Sequence, residues 1–155
     1  MKETTGEVFS IARDNPPVPG CTVSREIHGG ANPIAYFSLA AGADISAEMH
    51  PCFKLLVVAD GCVEVYGTND DRALLGVGEC LLTRPGVPVG MRTATGAVYT
   101  EVSIERSAAM NDVIKAGEIF ELAGLVPYAE GRVVNMDVAR NEKMKIVVMA
   151  FDEGT

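Results

Sequence analysis

The sequence lacks closely spaced cysteine pairs. Its four cysteines are scattered, at Cys21, Cys52, Cys62 and Cys80. Structural zinc sites usually take their thiolates from such pairs, and disulfide-rich folds are denser in cysteine, so both classes of protein are disfavoured. We expect reduced thiols, most of them buried.

Long apolar segments are also missing. Runs such as IVVMAF are far too short to cross a bilayer. The N-terminal MKETTGEVFS has no apolar core of signal-peptide length. We therefore expect a cytoplasmic protein that does not bind membranes.

Positive charge is scarce. The chain has 13 Lys and Arg against 21 Asp and Glu, for a net charge of −8 and a pI of about 4.7. No local basic patch reverses this balance, so nucleic acid and anionic headgroups are not expected partners. The glycine clusters lack the spacing of a phosphate-binding loop, and there is no GxSxG motif.

What the chain does have is the composition of one well-folded domain. It has 155 residues, of which 48% are hydrophobic and 22% charged. Short segments rich in β-branched residues alternate with Gly, Pro, Asn and Asp, which predicts an antiparallel all-β fold. The predicted strands are KLLVVAD, CVEVYG, ECLLTRP, AVYTEVSIE, RVVNMDV and KIVVMAF.

The sequence also predicts the type of connection between some of these segments. GTNDD at 67–71 predicts a hairpin turn, and PGVPVG at 85–90 interrupts the strand pattern. Only MNDVIKAG and ELAGL could form helical turns, and both are short.

One stretch, GADISAEMHPCFKLLVVADG at 42–61, carries a recognisable spacing. It resembles the first motif of the cupin superfamily, which has a glycine, a His-x-His pair, a glutamate and a closing glycine. Gly42, His50 and Gly61 match this motif. Glu48 stands where the first histidine is expected, and Lys54 stands where the glutamate is expected.

A second stretch, GECLLTRPGVPVGMRT, resembles the second cupin motif. Gly78 and Gly86 hold their places, and the proline is displaced by one position to Pro85. Val89 stands where the last histidine ligand is expected, and Thr93 where the usual asparagine is. The resemblance covers residues 34–105 and implies a cupin-type jelly-roll barrel, also called a double-stranded β-helix.

The residue types in these motifs argue against a tightly bound metal ion. Residues two apart on a strand share a face, so we expect Glu48, His50 and Lys54 to point into the barrel. A catalytic metal usually takes three or four protein ligands, but this set offers one carboxylate and one imidazole. An ammonium at Lys54 repels a dication, so we predict a barrel without metal. The alternative is a divalent ion held by Glu48 and His50.

The same face suits a small ligand. Lys54 beside Glu48 would supply positive charge for an acidic or carbonyl-containing molecule, and Val89 and Met91 would form an apolar wall. Cys52 lies two residues from both His50 and Lys54, so it is a candidate thiolate. The alternatives are structural: His50 bonds a backbone carbonyl, Lys54 extends to solvent, and Cys52 packs as a small hydrophobe.

An internal repeat marks the domain organisation. GEVFSIA begins at Gly6 and GEIFELA at Gly117, an offset of 111 residues that continues without a gap through the following positions. We predict a cupin barrel at 1–111 and, at 112–155, an extension that resembles the entry segment of a second cupin module. The chain therefore resembles the first part of a two-barrel bicupin.

We expect this extension to pack on a barrel sheet, either within its own chain or exchanged in a two-fold homodimer. Exchange is the favoured version, because closed two-fold dimers are the commonest assemblies.

Two classes of function remain open. The first is a small-molecule binding or sensing barrel with a degenerate metal site and no cofactor. The second is a cupin enzyme that uses Glu48, His50 and Lys54, with His50 and Lys54 as the catalytic candidates. Such an enzyme would be a metal-dependent dioxygenase or isomerase, or a metal-free acid/base catalyst.

Overall fold

The computed structural model describes residues 4–67 and 72–155. Most of the turn predicted at 67–71 lies outside these residues. The strands are β1 (Thr22–His28), β2 (Ile34–Leu39), β3 (Asp44–Met49), β4 (Phe53–Gly61), β5 (Val63–Tyr66), β6 (Arg72–Leu75), β7 (Glu79–Leu82), β8 (Pro88–Arg92), β9 (Ala97–Ile104), β10 (Ala109–Met110), β11 (Ile119–Glu121), β12 (Val133–Arg140) and β13 (Lys145–Phe151). The all-β prediction is confirmed.

Helical structure is confined to two short pieces of the described residues, α1 (Ile11–Asp14) and a 3₁₀ turn (Leu122–Gly124). The 3₁₀ turn lies within ELAGL, as predicted. MNDVIKAG is not helical, and α1 was not predicted. No helix in the described ranges is long and apolar enough to span a membrane.

Two antiparallel sheets face each other to form the barrel. The first has six strands in the order β1-β2-β9-β4-β7-β11, and the second has four in the order β3-β8-β5-β6. Alternate residues of each strand point inward, so the two sheets share one apolar core. Its buried members are Leu39, Leu56, Val58, Leu81, Ala97 and Tyr99 from the first sheet and Val63, Val65, Leu75 and Met91 from the second.

The closing glycine of the first motif has a steric role. Gly61, the last residue of β4, has a φ of 70°, a conformation that few residues other than glycine adopt. A Cβ atom at Gly61 would lie 2.2 Å from the carbonyl oxygen of Gly96. A side chain is therefore excluded where β4 meets the start of β9.

A third sheet, in the order β10-β12-β13, covers the outer face of the six-stranded sheet. Leu55, Cys80, Leu82 and Ile104 of the barrel pack there against residues of the C-terminal segment, namely Ile114, Val138 and Ala139. In the same segment, β11 pairs with β7 and extends the six-stranded sheet. The segment thus packs on the barrel of its own chain, while its exchange between two subunits stays a prediction.

The internal repeat is visible in three dimensions. With the same offset of 111 residues, α1 corresponds to the 3₁₀ turn, β1 to β12 and β2 to β13. The pairing of β1 with β2 shifts register between Glu26 and His28, and that of β12 with β13 shifts between Asp137 and Ala139. Two stretches of one chain therefore adopt the same local structure. The division at residue 111 stays a prediction.

Tyr99 is a buried polar residue in the barrel core. Its ring stacks on Phe37, with the centroids 5.0 Å apart, and its hydroxyl has no hydrogen-bond partner among the described residues. Burial raises the pKa of Tyr99 well above its ordinary value of 10.0, and the Glu101 carboxylate raises it further. The neutral phenol is therefore strongly favoured in the folded state.

Tyr99→Phe is expected to leave the protein at least as stable at neutral pH, because it removes an unpaired buried hydroxyl. Above about pH 10 the Tyr99 phenol ionises in the unfolded state but stays neutral in the folded state. The free energy of unfolding of the wild type should therefore fall by about 1.4 kcal/mol per pH unit relative to that of the variant. Urea unfolding from pH 7 to 11 measures this difference. The exposed Tyr128→Phe is the control, and equal pH profiles for wild type and Tyr99→Phe would contradict the expectation.

Candidate functional site

The candidate site is a small cavity inside one end of the barrel, with a volume of about 10 Å³. A water molecule needs roughly 10–15 Å³ of such space, so the cavity has room for about one. The residues that line it are His50, Lys54, Leu56, Thr83, Val89, Met91 and Glu101.

An ion pair forms the polar side of this cavity. The Lys54 ammonium donates to Glu101 Oε1 at 2.6 Å and to Ser103 Oγ at 2.9 Å. The Lys54 and Glu101 side chains are only 14% and 10% exposed. Inside a protein such a pair is stable only when both charges are paired and hydrogen-bonded, as they are here. The net charge of the pair is zero, so Lys54 does not supply the unbalanced positive charge expected from the sequence.

The expectation that Glu48 lines the pocket beside Lys54 is wrong. Glu48 is exposed and does not line the cavity. The prediction treated Glu48, His50 and Lys54 as members of one extended strand, but β3 ends at Met49 and β4 begins at Phe53. The two-residue alternation of side chains therefore does not carry over from Glu48 to Lys54.

His50 lies between β3 and β4, is half-buried and is one of the residues that line the cavity. Its backbone carbonyl accepts a hydrogen bond from the Gly86 N–H at 2.8 Å. This bond ties the first motif to the second, because Gly86 belongs to the loop before β8.

Of the six residues predicted to form the pocket, the cavity brings together His50, Lys54, Val89 and Met91. Cys52 is half-buried in the turn before β4 and does not line the cavity. The structure therefore places its thiol outside the candidate site.

Sequence reasoning missed Thr83, Glu101 and Ser103. Thr83 pairs with Lys54 through two hydrogen bonds: its Oγ1 accepts from the Lys54 N–H at 3.0 Å, and its own N–H donates to the Lys54 carbonyl at 2.9 Å. A signal for Glu101 was present, because it is the one charge inside the apolar segment AVYTEVSI. Strand alternation places it on the same face as the buried Tyr99.

A larger pocket of about 430 Å³ adjoins the cavity and shares Thr83 and Val89 with it. Its volume lies within the range of ligand sites in proteins. Among the described residues, the lining is mostly apolar, with Tyr66, Thr83 and two arginines as its polar members. The lining residues are Val65, Tyr66, Gly67, Arg72, Ala73, Leu81, Thr83, Arg84, Val87, Pro88, Val89 and Gly117.

Both arginines of this pocket are exposed and make contacts in the chain. Arg84 Nη2 donates to the Ala116 carbonyl at 3.0 Å, and Arg72 Nη1 lies 3.6 Å from Glu64 Oε1. The Tyr66 hydroxyl donates to Asp44 Oδ1, and this bond raises the pKa of Tyr66. Tyr66 is therefore a neutral wall of the pocket, and Arg84 contributes positive charge to its rim.

The cavity residues do not fit a bound divalent ion. His50 is the only imidazole, Glu101 is engaged by an ammonium, and Val89 has no donor atom. Among the described residues, no group of three or more His, Cys, Asp and Glu side chains is placed to hold a metal. A dication here would also meet the charge of Lys54.

Lys54→Glu combined with Val89→His is expected to create metal affinity at this cavity. The pair adds one carboxylate and one imidazole to His50 and Glu101 and removes the ammonium. Metal at 100 times its dissociation constant should stabilise the double variant by about 2.7 kcal/mol. Thermal unfolding with Fe²⁺, Mn²⁺ or Zn²⁺ measures this shift, and Val89→His alone is the control. No shift in the double variant would mean that cavity geometry, and not donor chemistry, excludes the ion.

Two facing antiparallel sheets with a polar cluster at one end of their shared interior define a jelly-roll barrel of the cupin type. Comparison with solved structures identifies the same fold. The cupin 2 conserved barrel domain protein from Leptotrichia buccalis superposes with a TM-score of 0.82 at 20% identity, covering 97% of this chain and 67% of that one. The cupin fold predicted from the two motifs is confirmed.

More distant structures share the barrel. A cupin superfamily protein from Desulfitobacterium hafniense has a TM-score of 0.62 at 13% identity, over 68% of this chain and 96% of that one. The DMSP lyase DddQ from Ruegeria pomeroyi has a TM-score of 0.51 at 15% identity, over 56% of this chain and 48% of that one. No family model matches the chain, and no curated protein does. At these identities the likeness establishes the fold and leaves the activity open.

Proposed function

We propose that this chain is a cupin-fold protein that binds or senses a small molecule and whose metal site is degenerate. The observation that carries the proposal is the Lys54–Glu101 ion pair, which occupies the polar side of the cavity where the motif resemblance would place metal ligands. Beside it, the 430 Å³ pocket provides the volume that a small molecule needs.

The ligand that suits this pocket is a small carboxylic acid with an apolar body. Val65, Leu81 and Val89 offer apolar contacts, and the Thr83 hydroxyl lies among them. Arg84 supplies positive charge at the rim, where its guanidinium donates to the Ala116 carbonyl. The role expected for Lys54 thus falls to Arg84, because Glu101 neutralises Lys54. A guanidinium binds a carboxylate in a bidentate manner.

Binding of short aliphatic monocarboxylates, compared with the primary amides of the same carbon skeletons, tests this proposal. Ligand-observed NMR should detect the acids and not the amides. Arg84→Ala should weaken binding about 10- to 100-fold, because one charged hydrogen-bonding group is lost. The exposed Arg106→Ala, outside the pocket, is the control. Equal binding of acids and amides, or no effect of Arg84→Ala, would reject a carboxylate site.

The second candidate function is a cupin enzyme, and the placement of His50 favours it. His50 lines the cavity with Thr83 and Glu101, in the part of the barrel that adjoins the larger pocket. Among the structural neighbours, one is named as a DMSP lyase. A metal-dependent dioxygenase or isomerase, or an acid/base catalyst without metal, would use this histidine.

Metal analysis of protein purified without chelator separates the two functions. A binding protein with a degenerate site should contain far less than one equivalent of iron, manganese, zinc or nickel. A stoichiometric content that disappears in His50→Ala would favour the metal-dependent enzyme.

A further inference from the structure

The strands at the ends of the sheets differ in how they are protected against pairing with another chain. β1 carries Arg25 and Glu26 in its middle, and β3 carries Asp44 and Glu48 and has an irregular register. β6, β10 and β11 have four, two and three residues. Charges, bulges and short length are the usual means by which proteins block an exposed sheet edge.

β13 has none of these protections beyond its first residue. It has seven residues, KIVVMAF, without proline or glycine and with one charge at its start, Lys145. Within the described part of the chain it pairs with β12 alone and forms one end of its sheet. Beside this edge, Val133, Met149 and Phe151 are 45%, 51% and 55% exposed. A long apolar edge next to exposed apolar side chains favours pairing with another strand.

The internal repeat shows what kind of neighbour this position accepts. β2 is the counterpart of β13 in the first copy, and it has two neighbours, because β9 pairs with it along the edge that β1 leaves free. That pairing is antiparallel from Ile34 to Leu39. The equivalent edge of β13 is therefore built to take an antiparallel strand.

The charges that flank β13 favour a second copy of the same strand. Lys143 and Lys145 lie at its start, and Asp152 and Glu153 follow its end. Both lysines also form exposed ion pairs within the chain, with Glu105 and Asp137. In an antiparallel pair of identical strands, each basic end lies beside the acidic end of the other copy. In a parallel pair, like charges would meet.

We propose that two copies of this chain associate through β13, which pairs antiparallel with itself across a two-fold axis. With the axis at Val148, Val147 lies opposite Met149 of the second copy and Lys143 lies opposite Glu153 of the second copy. The interface is self-complementary, as a closed two-fold dimer requires. It joins two three-stranded sheets into one six-stranded sheet and needs no exchange of segments. The dimer is independent of what the barrel binds.

Charge reversal at one flanking pair tests the dimer. The wild type should show a concentration-dependent monomer–dimer equilibrium in sedimentation velocity. Lys143→Glu and Glu153→Lys should each weaken the dimer about tenfold, because two attractive contacts per dimer become repulsive. An equimolar mixture of the two variants should recover wild-type affinity, since every contact is again between unlike charges. The exposed Lys115→Glu, away from β13, makes the same charge change and should have no effect.

Hydrogen exchange locates the interface. Amides of residues 145–151 should gain protection as the concentration of the full chain rises through the dimer range. The proposal is overturned if the chain stays monomeric at high micromolar concentration, or if the charge variants dimerise as tightly as the wild type. It is also overturned if the amides that gain protection with rising concentration lie outside β13. A dimer with exchanged C-terminal segments would give such a pattern.

Discussion

Replacing Lys54 with methionine is expected to lower the free energy of unfolding by about 3–5 kcal/mol, because it leaves the Glu101 carboxylate without a charged partner inside the barrel. Glu101 is 8% exposed as a residue, and the Lys54 ammonium is its hydrogen-bond partner at 2.6 Å. Urea unfolding at neutral pH measures the loss. Methionine preserves most of the aliphatic length, so the effect reports the charge more than the packing.

A double-mutant cycle separates the ion pair from other effects of the substitution. Lys54→Met combined with Glu101→Leu removes both charges, and its stability should return close to that of the wild type or exceed it, because neither charge is left unpaired. Lys145→Met, measured at protein concentrations below the range of the proposed dimer, is the matched control. Its ion pair with Asp137 has a similar length, 3.0 Å, but side chains that are 57% and 37% exposed, so the cost should stay under about 1 kcal/mol. A double variant as unstable as the single would contradict this account.

The same double variant tests the proposed ligand binding. If the Lys54–Glu101 pair stabilises the cavity but does not contribute to ligand binding, the double variant should keep the carboxylate binding proposed for the adjoining pocket, which Arg84 and Arg72 border. Loss of that binding in a stable double variant would mean that the ion pair orients groups for the ligand. Thr83 is the group through which this effect would pass, because it bonds the Lys54 backbone and lines both cavities.

The fold could be predicted from the sequence because its signals are local and repeated. Short β-branched segments bounded by turn residues indicated the strands β4, β5, β7, β9, β12 and β13, and the motif glycines marked places where the backbone needs glycine. Gly61 is such a place, since the carbonyl of Gly96, just before the neighbouring strand β9, leaves no room for a Cβ atom. β1 went unpredicted, because its charged and exposed residues lack the apolar alternation of a strand with a buried face.

The candidate site could be predicted only in part, because its geometry depends on contacts between distant segments. Val89 and Met91 were placed correctly by simple alternation along β8. Glu48 was not, because the residue pattern does not show that β3 ends at Met49, before His50. The partner of Lys54 is 47 residues away on β9, and only the β4–β9 register shows that Glu101 and Ser103 lie beside it. Spacing within one motif could not reveal a contact between two strands.

Removing residues 112–155 is expected to abolish the stable soluble barrel. The deletion uncovers Leu55, Cys80, Leu82 and Ile104, each at most 2% exposed in the intact chain. Burial of side chains of this kind contributes about 1.5–3 kcal/mol each, so the loss approaches the whole stability of a typical domain, roughly 5–15 kcal/mol. The deletion also frees the edge of β7 that β11 occupies, which adds a site for aggregation. Solubility and urea unfolding of residues 1–111 measure the effect.

A point substitution tests the same contact in the full chain. Val138→Ala should cost about 2 kcal/mol, because Val138 is fully buried against the outer face of the barrel. Val133→Ala is the matched control: the same substitution in the same strand, at a residue that is 45% exposed, should change stability by less than about 0.5 kcal/mol. If residues 1–111 unfolded cooperatively with the stability of the full chain, and Val138→Ala behaved like Val133→Ala, the C-terminal segment would not be part of the core. The barrel would then be complete without it, and the boundary predicted at residue 111 would mark an independent folding unit.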